Sequence, residues 1–446
     1  MKLKPYSSYK DSGVHWLGQI PEEWSTWKIS HAFGSVGSGT TPPSNEQEWY
    51  ENGNIPWITT GELRENIIFE TVKFVTPSAF KKFSTLRLHP AGSLAIAMYG
   101  ATIGRLGILG VDATTNQACC VIGYPKYLDI KFMFYWFLGF KQKIVDLYAT
   151  GGGQPNINQE TIVSLRIPAP CLDDQTDIAA FLDRETGKLD TLIAKQEQLI
   201  ELLQEKRLAI ISHAVTKGLN PDVTMKDSGV KWLGMVPSSW SLIPFKYIVT
   251  LAGRIGFRGY TTEDLVEDGE GAITLSPSNL INGQVITDKC TYISWHKYNE
   301  SPEIQVKYGD VIMVKTGSTY GKVAMVRNPN MLPSTINPQL VIFKNIQSDK
   351  TFLYYLLSST RVQAEIEVSN TGSTIPTMTQ ETIGNIRIAL PTSSEQVNIS
   401  SYLDYETAKI DILIDKAKRS IELAKEHRSA LISAAVTGKI DVREAA

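Results

Sequence analysis

Two sets of polar, glycine-rich segments carry the side chains best suited to chemistry in this chain. The first set holds Gly37-Ser38-Gly39-Thr40-Thr41-Pro42, Thr59-Thr60-Gly61, Tyr99 followed by Gly100-Ala101-Thr102-Ile103-Gly104-Arg105, Asn116-Gln117, and Gly152-Gly153-Gln154 with Asn156. The second holds Gly253-Arg254-Ile255-Gly256-Phe257-Arg258, Ser276-Pro277-Ser278, Lys315-Thr316 followed by Gly317-Ser318-Thr319-Tyr320-Gly321-Lys322, Asn337 with Gln339, and Gly372-Ser373-Thr374. These residues offer hydrogen-bonded recognition rather than bond making. Arg and Lys engage guanine edges or phosphate, Asn and Gln pair with adenine edges, and hydroxyls serve both. Each residue taken singly is also an ordinary turn former, because Gly, Ser, Thr and Asn favour turns. Repetition of the whole set is what points to nucleic acid.

Groupings that catalysis needs are missing from the sequence. Gly317 to Gly321 leaves three residues between the glycines, and Val323 stands where a P-loop has Ser or Thr. Gly34-Ser35-Val36-Gly37 is not a dinucleotide fingerprint, and the six histidines are scattered with no H-E-x-x-H. Neither Asn328-Pro329-Asn330 nor Asn337-Pro338-Gln339 makes the Asn-Pro-Pro-Tyr motif of an amino-methyltransferase. Acidic residues and lysines are plentiful, which leaves a nuclease site open, but no compact constellation of them stands out. The expectation is a chain with no catalytic residue, no metal and no cofactor of its own.

The elements that position the loops come twice. Lys10-Asp11-Ser12-Gly13-Val14 returns as Lys226-Asp227-Ser228-Gly229-Val230, an offset of 216 residues. Trp16-Leu17-Gly18, Pro21 and Trp24 return as Trp232-Leu233-Gly234, Pro237 and Trp240. At an offset of 221, Gln159-Glu160-Thr161-Ile162 matches Gln380-Glu381-Thr382-Ile383, and Phe181-Leu182-Asp183 matches Tyr402-Leu403-Asp404. Ala214-Val215-Thr216 likewise matches Ala435-Val436-Thr437. Each half is thus a globular head followed by a long helix, and the period is far too long for a solenoid. The heads diverge more than the helices, which suits two related but non-identical recognition tasks. The order closes on itself, so the two ends of the repeat are expected to lie close together.

The helices show near-heptad spacing. Leu182, Leu189, Leu192, Leu199, Leu203 and Ile210 form the expected packing line of the first, widened by Ile193, Ile200 and Ile211. Leu403, Ile410, Leu413, Ile414, Ile421 and Leu431 form that of the second. Pro170 and Pro391 stand just upstream, with Gly218 and Gly438 just after, as start and stop signals. A helix of about 40 residues is about 60 Å long, and such a seam needs a partner. The other copy, packed antiparallel, is the natural one; an ordinary core helix or a homo-oligomeric coiled coil remain alternatives. An intramolecular pair would hold the heads at a spacing of one to two turns of B-DNA, at about 35 Å per turn.

Within the heads, Asn54–Thr59, Ser93–Met98 and Asp310–Val314 read as strands, and Phe132–Tyr148 and Phe352–Ser369 as helices. Phe132, Phe134, Tyr135, Trp136 and Phe137, paralleled by Phe352, Tyr354 and Tyr355, are expected in the core rather than stacked on bases. The fold class is α/β (α+β): two globular heads and a pair of long antiparallel helices forming an intramolecular coiled coil, with pseudo-twofold internal repetition.

Composition limits the alternatives. The 446 residues suffice for two or three domains, and an apolar fraction of 42% is that of a soluble globular protein. The most apolar run, Phe132 to Phe140, is too short to span a bilayer, and no signal-peptide pattern is read at the N-terminus. Cys119, Cys120, Cys171 and Cys290 form no C-x-x-C pair or disulfide framework, so a reduced, cytoplasmic protein is expected. Net charge is −2, whereas a nucleic-acid binder is often basic. The segments Asp173–Lys217 and Glu395–Glu444 together carry −4, leaving +2 on the rest. Any DNA contact must therefore come from local patches or from partners.

The plan as a whole resembles the specificity subunits of Type I restriction–modification systems. The resemblance covers essentially the full chain. It rests on the Lys-Asp-Ser-Gly-Val-x-Trp-Leu-Gly-x-x-Pro-x-x-Trp opening of both halves, the Gly37–Pro42 loop, Ile55-Pro56-Trp57-Ile58-Thr59, the G-x-T-x-G-[RK] turns and the helix ends. The second head departs from it, having Gly256-Phe257-Arg258-Gly259 in place of the Gly-Thr-Thr-Pro loop. The resemblance implies target-recognition domains at 1–170 and 219–391, with spacer helices at 171–218 and 392–446. Each domain would read half of a bipartite double-stranded DNA site, with the helices docking two methyltransferase subunits. Restriction subunits with endonuclease and translocase activity would join the complex. S-adenosylmethionine and ATP with Mg would be used by those partners, and no membrane is involved. A non-DNA scaffold or interaction protein is the competing class.

Overall fold

The computed structural model describes residues 4–151, 155–254, 259–369 and 376–443. The expectations for Gln154, Arg258, Ser373 and Thr374 fall outside the described residues. The chain forms two compact units, Met1–Glu197 with Arg419–Ala446, and Gln198–Lys418. Among the described residues, no helix is long and apolar enough to cross a membrane.

Two long helices, Leu172–Lys217 of 46 residues and Ser393–Val436 of 44, each contribute a stretch to both units. In the first unit Ile178 and Leu182 share a core with Ile432, Ala435 and Val436, and Asp190 pairs with Arg428 at 2.9 Å. In the second, Leu203 packs with Ile410 and Ile414, Ile211 and Ala214 with Ile399 and Leu403, and Arg207 pairs with Asp411 at 3.2 Å. Within each unit, rising numbers on one helix meet falling numbers on the other. The pairing is therefore antiparallel and intramolecular.

The seam runs in alternating steps of three and four residues, as a coiled coil requires. Thr186, Leu189, Ile193, Gln196, Ile200, Leu203, Arg207, Ile210 and Ala214 are turned inward on the first helix. Leu403, Thr407, Ile410, Ile414, Ala417, Ile421, Ala424, Arg428, Leu431 and Ala435 are turned inward on the second. This corrects three expected packing residues: Leu192, Leu199 and Leu413 are 40%, 41% and 47% exposed. Two apolar lines flank Leu189 and Leu203 on opposite sides, and the partner helix covers the line of Ile193 and Ile200.

The first head is built on a five-stranded sheet in the order Phe33–Ser38, Cys119–Pro125, Leu94–Ala97, Leu106–Leu109, Asn66–Ile68. Only the last pairing is parallel. Both faces are covered, so the central strands read as unbroken apolar runs rather than alternating ones. Leu94, Ile96, Cys120 and Ile122 face the helix Ile130–Tyr148 and its buried Phe132 and Trp136. The smaller Ala95, Ala97 and Cys119 face Ile58, Leu63 and Ile68. Three further strands, Thr114–Thr115, Ile55–Ile58 and Phe74–Val75, form a side sheet.

The second head repeats this order with different residues: Thr250–Ala252, Leu340–Lys344, Val311–Val314, Val323–Met325, Gln284–Val285, followed by Leu280–Ile281. Its aromatic helix starts like that of the first. Asp349 accepts from the Phe352 amide as Asp129 does from Phe132, a capping geometry that satisfies an otherwise orphan donor. The two diverge afterwards. Where one helix over Phe352–Ser369 is expected, the chain forms Lys350–Ser358 and Thr360–Val368 with Ser359 extended between them. The Ser359 hydroxyl caps the second piece, and the Thr360 amide donates to Ser212 Oγ of the long helix at 2.9 Å.

The repeated Lys-Asp-Ser-Gly-Val segments are turns. Asp11 and Asp227 accept from the amides of Gly13 and Gly229, at 2.7 and 3.0 Å, where φ is +68° and +66°. Each turn closes a hairpin, Tyr9–Asp11 with Gln19–Pro21 and Met225–Asp227 with Met235–Pro237. The expected closure of the repeat is present inside the first unit. The Asp441 amide donates to the Lys4 carbonyl at 2.8 Å, and Tyr9 donates to the Gly438 carbonyl at 3.0 Å.

Candidate nucleic-acid interface

In the second unit, Ser276, Ser278, Thr316, Ser318, Thr319 and Gln339, all singled out from sequence, line one open cavity of about 230 Å³. They come from three separate loops, each fixed by backbone bonds. The Lys315 amide donates to the Gln339 carbonyl at 2.8 Å, and Gly317 donates to Pro376 at 3.1 Å. Hydroxyls of Thr316 and Thr377 meet at 2.7 Å. Ser276 begins a reciprocal cap with Asn279, whose side-chain oxygen accepts from the Ser276 amide at 2.9 Å. The Gln339 side chain is exposed.

The first unit repeats the arrangement. Thr59 and Glu62 form the corresponding capping box. Gly100 donates to Pro155 at 3.1 Å, as Gly317 does to Pro376, and Tyr99 and Asn156 form a backbone bridge. The Tyr99 hydroxyl donates to the Gln117 carbonyl at 2.7 Å, and Thr41 bonds the exposed Gln117 amide. The Thr40 amide donates to the Thr115 carbonyl at 3.0 Å, and its hydroxyl accepts from Thr85 at 3.0 Å. Thr60 and Thr102 are half-buried beside these turns, and Arg105 is exposed at the start of the strand Leu106–Leu109. Thr41 also borders an aromatic cavity of about 620 Å³ lined by Tyr50, Trp57 and Phe74.

Other expected contacts sit elsewhere. Arg254 is 3% exposed, and its guanidinium donates to the Ile336 carbonyl and the Thr335 hydroxyl at 3.1 and 3.2 Å. Burial lowers its pKa. It is a structural arginine holding the loop to the sheet, which corrects the expectation of a surface contact. Asn337 is also buried, and its side chain bonds Gln339 within the turn. The Tyr320 hydroxyl donates to the Ile366 carbonyl at 3.1 Å, anchoring its turn to the helix below. Lys315 is half-buried, which lowers its pKa. Lys322 lines a different groove, of about 500 Å³, with Arg207, Gln284, Asp411 and Lys418. Sequence reading missed the two cap partners Glu62 and Asn279; the Thr-x-x-Glu capping spacing at Thr59 was the available signal.

Among the described residues, no three His, Cys, Asp or Glu side chains stand close enough to hold a metal ion. Cys119 and Cys120 are buried, and burial pushes both thiols up to about 12. Paired polar loop sets are equipment for hydrogen-bonded recognition.

Residues 21–202 and 279–423 match the family model described as the Type I restriction modification DNA specificity domain. The chain belongs to that family. It is a Type I specificity subunit, and DNA target recognition is its role. Over 431 residues it is 24% identical to the Type I restriction enzyme MjaVIII specificity subunit of Methanocaldococcus jannaschii, covering 95% of each chain. To the MjaIX specificity subunit of the same organism it is 25% identical over 469 residues, covering 100% of this chain and 99% of that one. Two solved structures share the fold at 14% identity. One is a chain of a type I R-M system solved for its complex assembly and conformational transition, with a TM-score of 0.74 and coverage of 94% and 99%. The other is the HsdS subunit from Thermoanaerobacter tengcongensis, with a TM-score of 0.57 and coverage of 94% and 98%.

Proposed function

We propose that each head of this specificity subunit reads one half of a bipartite double-stranded DNA target through its loop set. The gathering of six polar residues from three loops around one cavity of the second head carries this reading. The helix pair sets the gap between the half-sites and docks two methyltransferase subunits. Exposed apolar residues beside the seam, Leu199, Leu202, Tyr405 and Ile412 in the second unit, support a docking role. The chain itself does no chemistry and binds no cofactor. Partner subunits use S-adenosylmethionine for adenine methylation, and ATP with Mg for translocation and cleavage, in the cytoplasm. Its modest net charge fits, because partners help to clamp the DNA.

Methylation sequencing of DNA from cells carrying this chain and its methyltransferase subunit tests the proposal. The expected result is a bipartite adenine-methylated motif that disappears when this chain is removed. No motif, with the methyltransferase active and bound to the chain, would favour a scaffold role.

A further inference from the structure

Gln339 is held by its neighbour in one orientation. Its backbone N–H donates to Asn337 Oδ1 at 3.0 Å, and Asn337 Nδ2 donates to Gln339 Oε1 at 3.2 Å. The first bond fixes the sense of the second. A backbone N–H can only donate, so the Asn337 atom that receives it is the oxygen. The other end of that amide is then NH2, and the Gln339 atom facing it must be the accepting oxygen. Asn337 is 8% exposed, so the Gln339 oxygen is held on the buried side of its carboxamide.

The nitrogen stands towards the cavity of the second head. Gly317 lines that cavity, and a Cβ on it would lie 3.4 Å from Gln339 Nε2. Gln339 is exposed, and among the described residues its NH2 group has no hydrogen-bond partner. Much of the remaining wall is engaged within the protein. Ser276 donates to Asn279 Oδ1 at 3.0 Å and lies 2.7 Å from the Ser278 hydroxyl. Asn279 is oriented by its own NH2, which donates to the Ile286 and Lys289 carbonyls at 3.1 Å each. Thr316 is bonded to Thr377. Among the described residues that line the cavity, none carries a charge. Phosphate contacts draw their affinity from cations, so a neutral wall suits a base edge better.

An amide whose oxygen is turned inward is a donor-only reader. A glutamine free at both ends pairs with adenine, because its oxygen accepts from N6 while its nitrogen donates to N7. Here the accepting half is used by Asn337. Cytosine presents a donor in the major groove and opposes the NH2. Thymine presents one acceptor, O4, whereas guanine presents two adjacent ones, O6 and N7, for the two hydrogens of the NH2.

The geometry points to Gln339 as a guanine-specifying residue of the second head, with Asn337 as the positioning residue that turns it from adenine to guanine. The assignment rests on the DNA-reading role given above and names the base that is read.

The test uses the full chain assembled with its methyltransferase subunits. Duplexes carrying a single 7-deazaguanine, which lacks the N7 acceptor, are scanned through both half-sites. One guanine position should weaken wild-type binding and have no further effect on Gln339→Ala. That variant should itself bind the target roughly 5- to 150-fold more weakly. Gln339→Glu keeps one oxygen towards Asn337 and turns a second towards the base. Methylation sequencing of cells carrying it should show that guanine replaced by cytosine, whose N4 amine donates. Asn337→Asp offers the Gln339 NH2 an acceptor, turns the glutamine oxygen outward, and should lose guanine at the same position. A merely structural asparagine would instead weaken every sequence alike. Coupling of Gln339 to an adenine, or to no base, overturns the assignment, as does a guanine left unchanged by Gln339→Glu. Should Asn337→Asp fail to fold, the variants of the exposed Gln339 decide. A wild-type complex that binds target and unrelated duplexes alike overturns the DNA-reading role itself; a wild-type motif that stays bipartite confines any failure to the guanine assignment.

Discussion

The Tyr135 hydroxyl donates to the Asp183 carboxylate at 2.6 Å, tying the aromatic helix of the first head to the long helix beside it. The second unit repeats the tie, with Tyr355 bonding Asp404 at 2.8 Å and Thr407 at 3.0 Å. This gives the matched Phe181-Leu182-Asp183 and Tyr402-Leu403-Asp404 segments a physical meaning. The leucine enters the core, and the aspartate holds the head. Burial first, and the neighbouring carboxylate second, push the Tyr135 phenol far above its ordinary range. Hydrogen bonds to charged groups contribute about 1.5–3 kcal/mol, and Asp183 is partly exposed. Tyr135→Phe and Tyr355→Phe should therefore each cost about 1.5 kcal/mol in urea unfolding. Silent substitutions would mean that water takes the place of the phenol.

The glycines that end the long helices should differ in their tolerance of a side chain. Both have positive φ, +78° at Gly218 and +68° at Gly438, so alanine strains either backbone by about 1–2 kcal/mol. Beyond that, a Cβ on Gly218 first meets the flexible Glu395 carboxylate at 3.1 Å, whereas one on Gly438 would stand 2.3 Å from Pro21 Cγ. Gly438→Ala should add an overpacking cost of about 1–3 kcal/mol. Thermal unfolding of the two variants measures the difference, and equal losses would contradict the close packing of Pro21 on the helix end.

Neighbouring leucines on the first long helix should behave oppositely. Leu203 is 8% exposed and packs on Ile410 and Ile414, while Leu199, one turn earlier, is 41% exposed. Leu203→Ala should destabilise the isolated chain by about 2–4 kcal/mol. Leu199→Gln should change its stability by less than about 0.5 kcal/mol and weaken capture of the methyltransferase subunit. If Leu199→Gln unfolds the chain instead, the seam assignment is wrong.

The same two leucines show what the sequence makes legible. The strands at Ile55–Ile58, Leu94–Ala97 and Val311–Val314 could be read because sheets covered on both faces need compact apolar runs bounded by turn residues. Helix existence and pairing could be read from repeated heptads. The phase of the seam could not, because Leu192 and Leu199 are as apolar as Ile193 and Ile200, and only the partner helix chooses between them. Arg254 misleads for a related reason. An arginine in a glycine-rich loop looks like a surface contact, and nothing local announces that the Ile336 carbonyl will receive it. The break at Ser359 depends on Ser212, which is distant in sequence.

The exposed glutamines Gln117 and Gln339 provide the sharpest test of the two-reader reading. Each stands at the end of an Asn-led turn in its own head, and each is held without being consumed. Thr41 bonds one acceptor of Gln117, and Asn337 Nδ2 donates to Gln339 Oε1 at 3.2 Å. Among the described residues, neither side-chain nitrogen has a hydrogen-bond partner, so each can donate to a base. A glutamine paired with a base edge discriminates by about 1–3 kcal/mol, or roughly 5- to 150-fold. Gln117→Ala should therefore relax the methylated motif at one position of one half-site and leave the other half intact. Gln339→Ala should do the reverse. Methylation sequencing of cells carrying each variant reads both halves at once. Two variants that relax the same half-site would break the assignment of one head to each half, and uniform weakening of both halves would make these glutamines backbone contacts rather than readers.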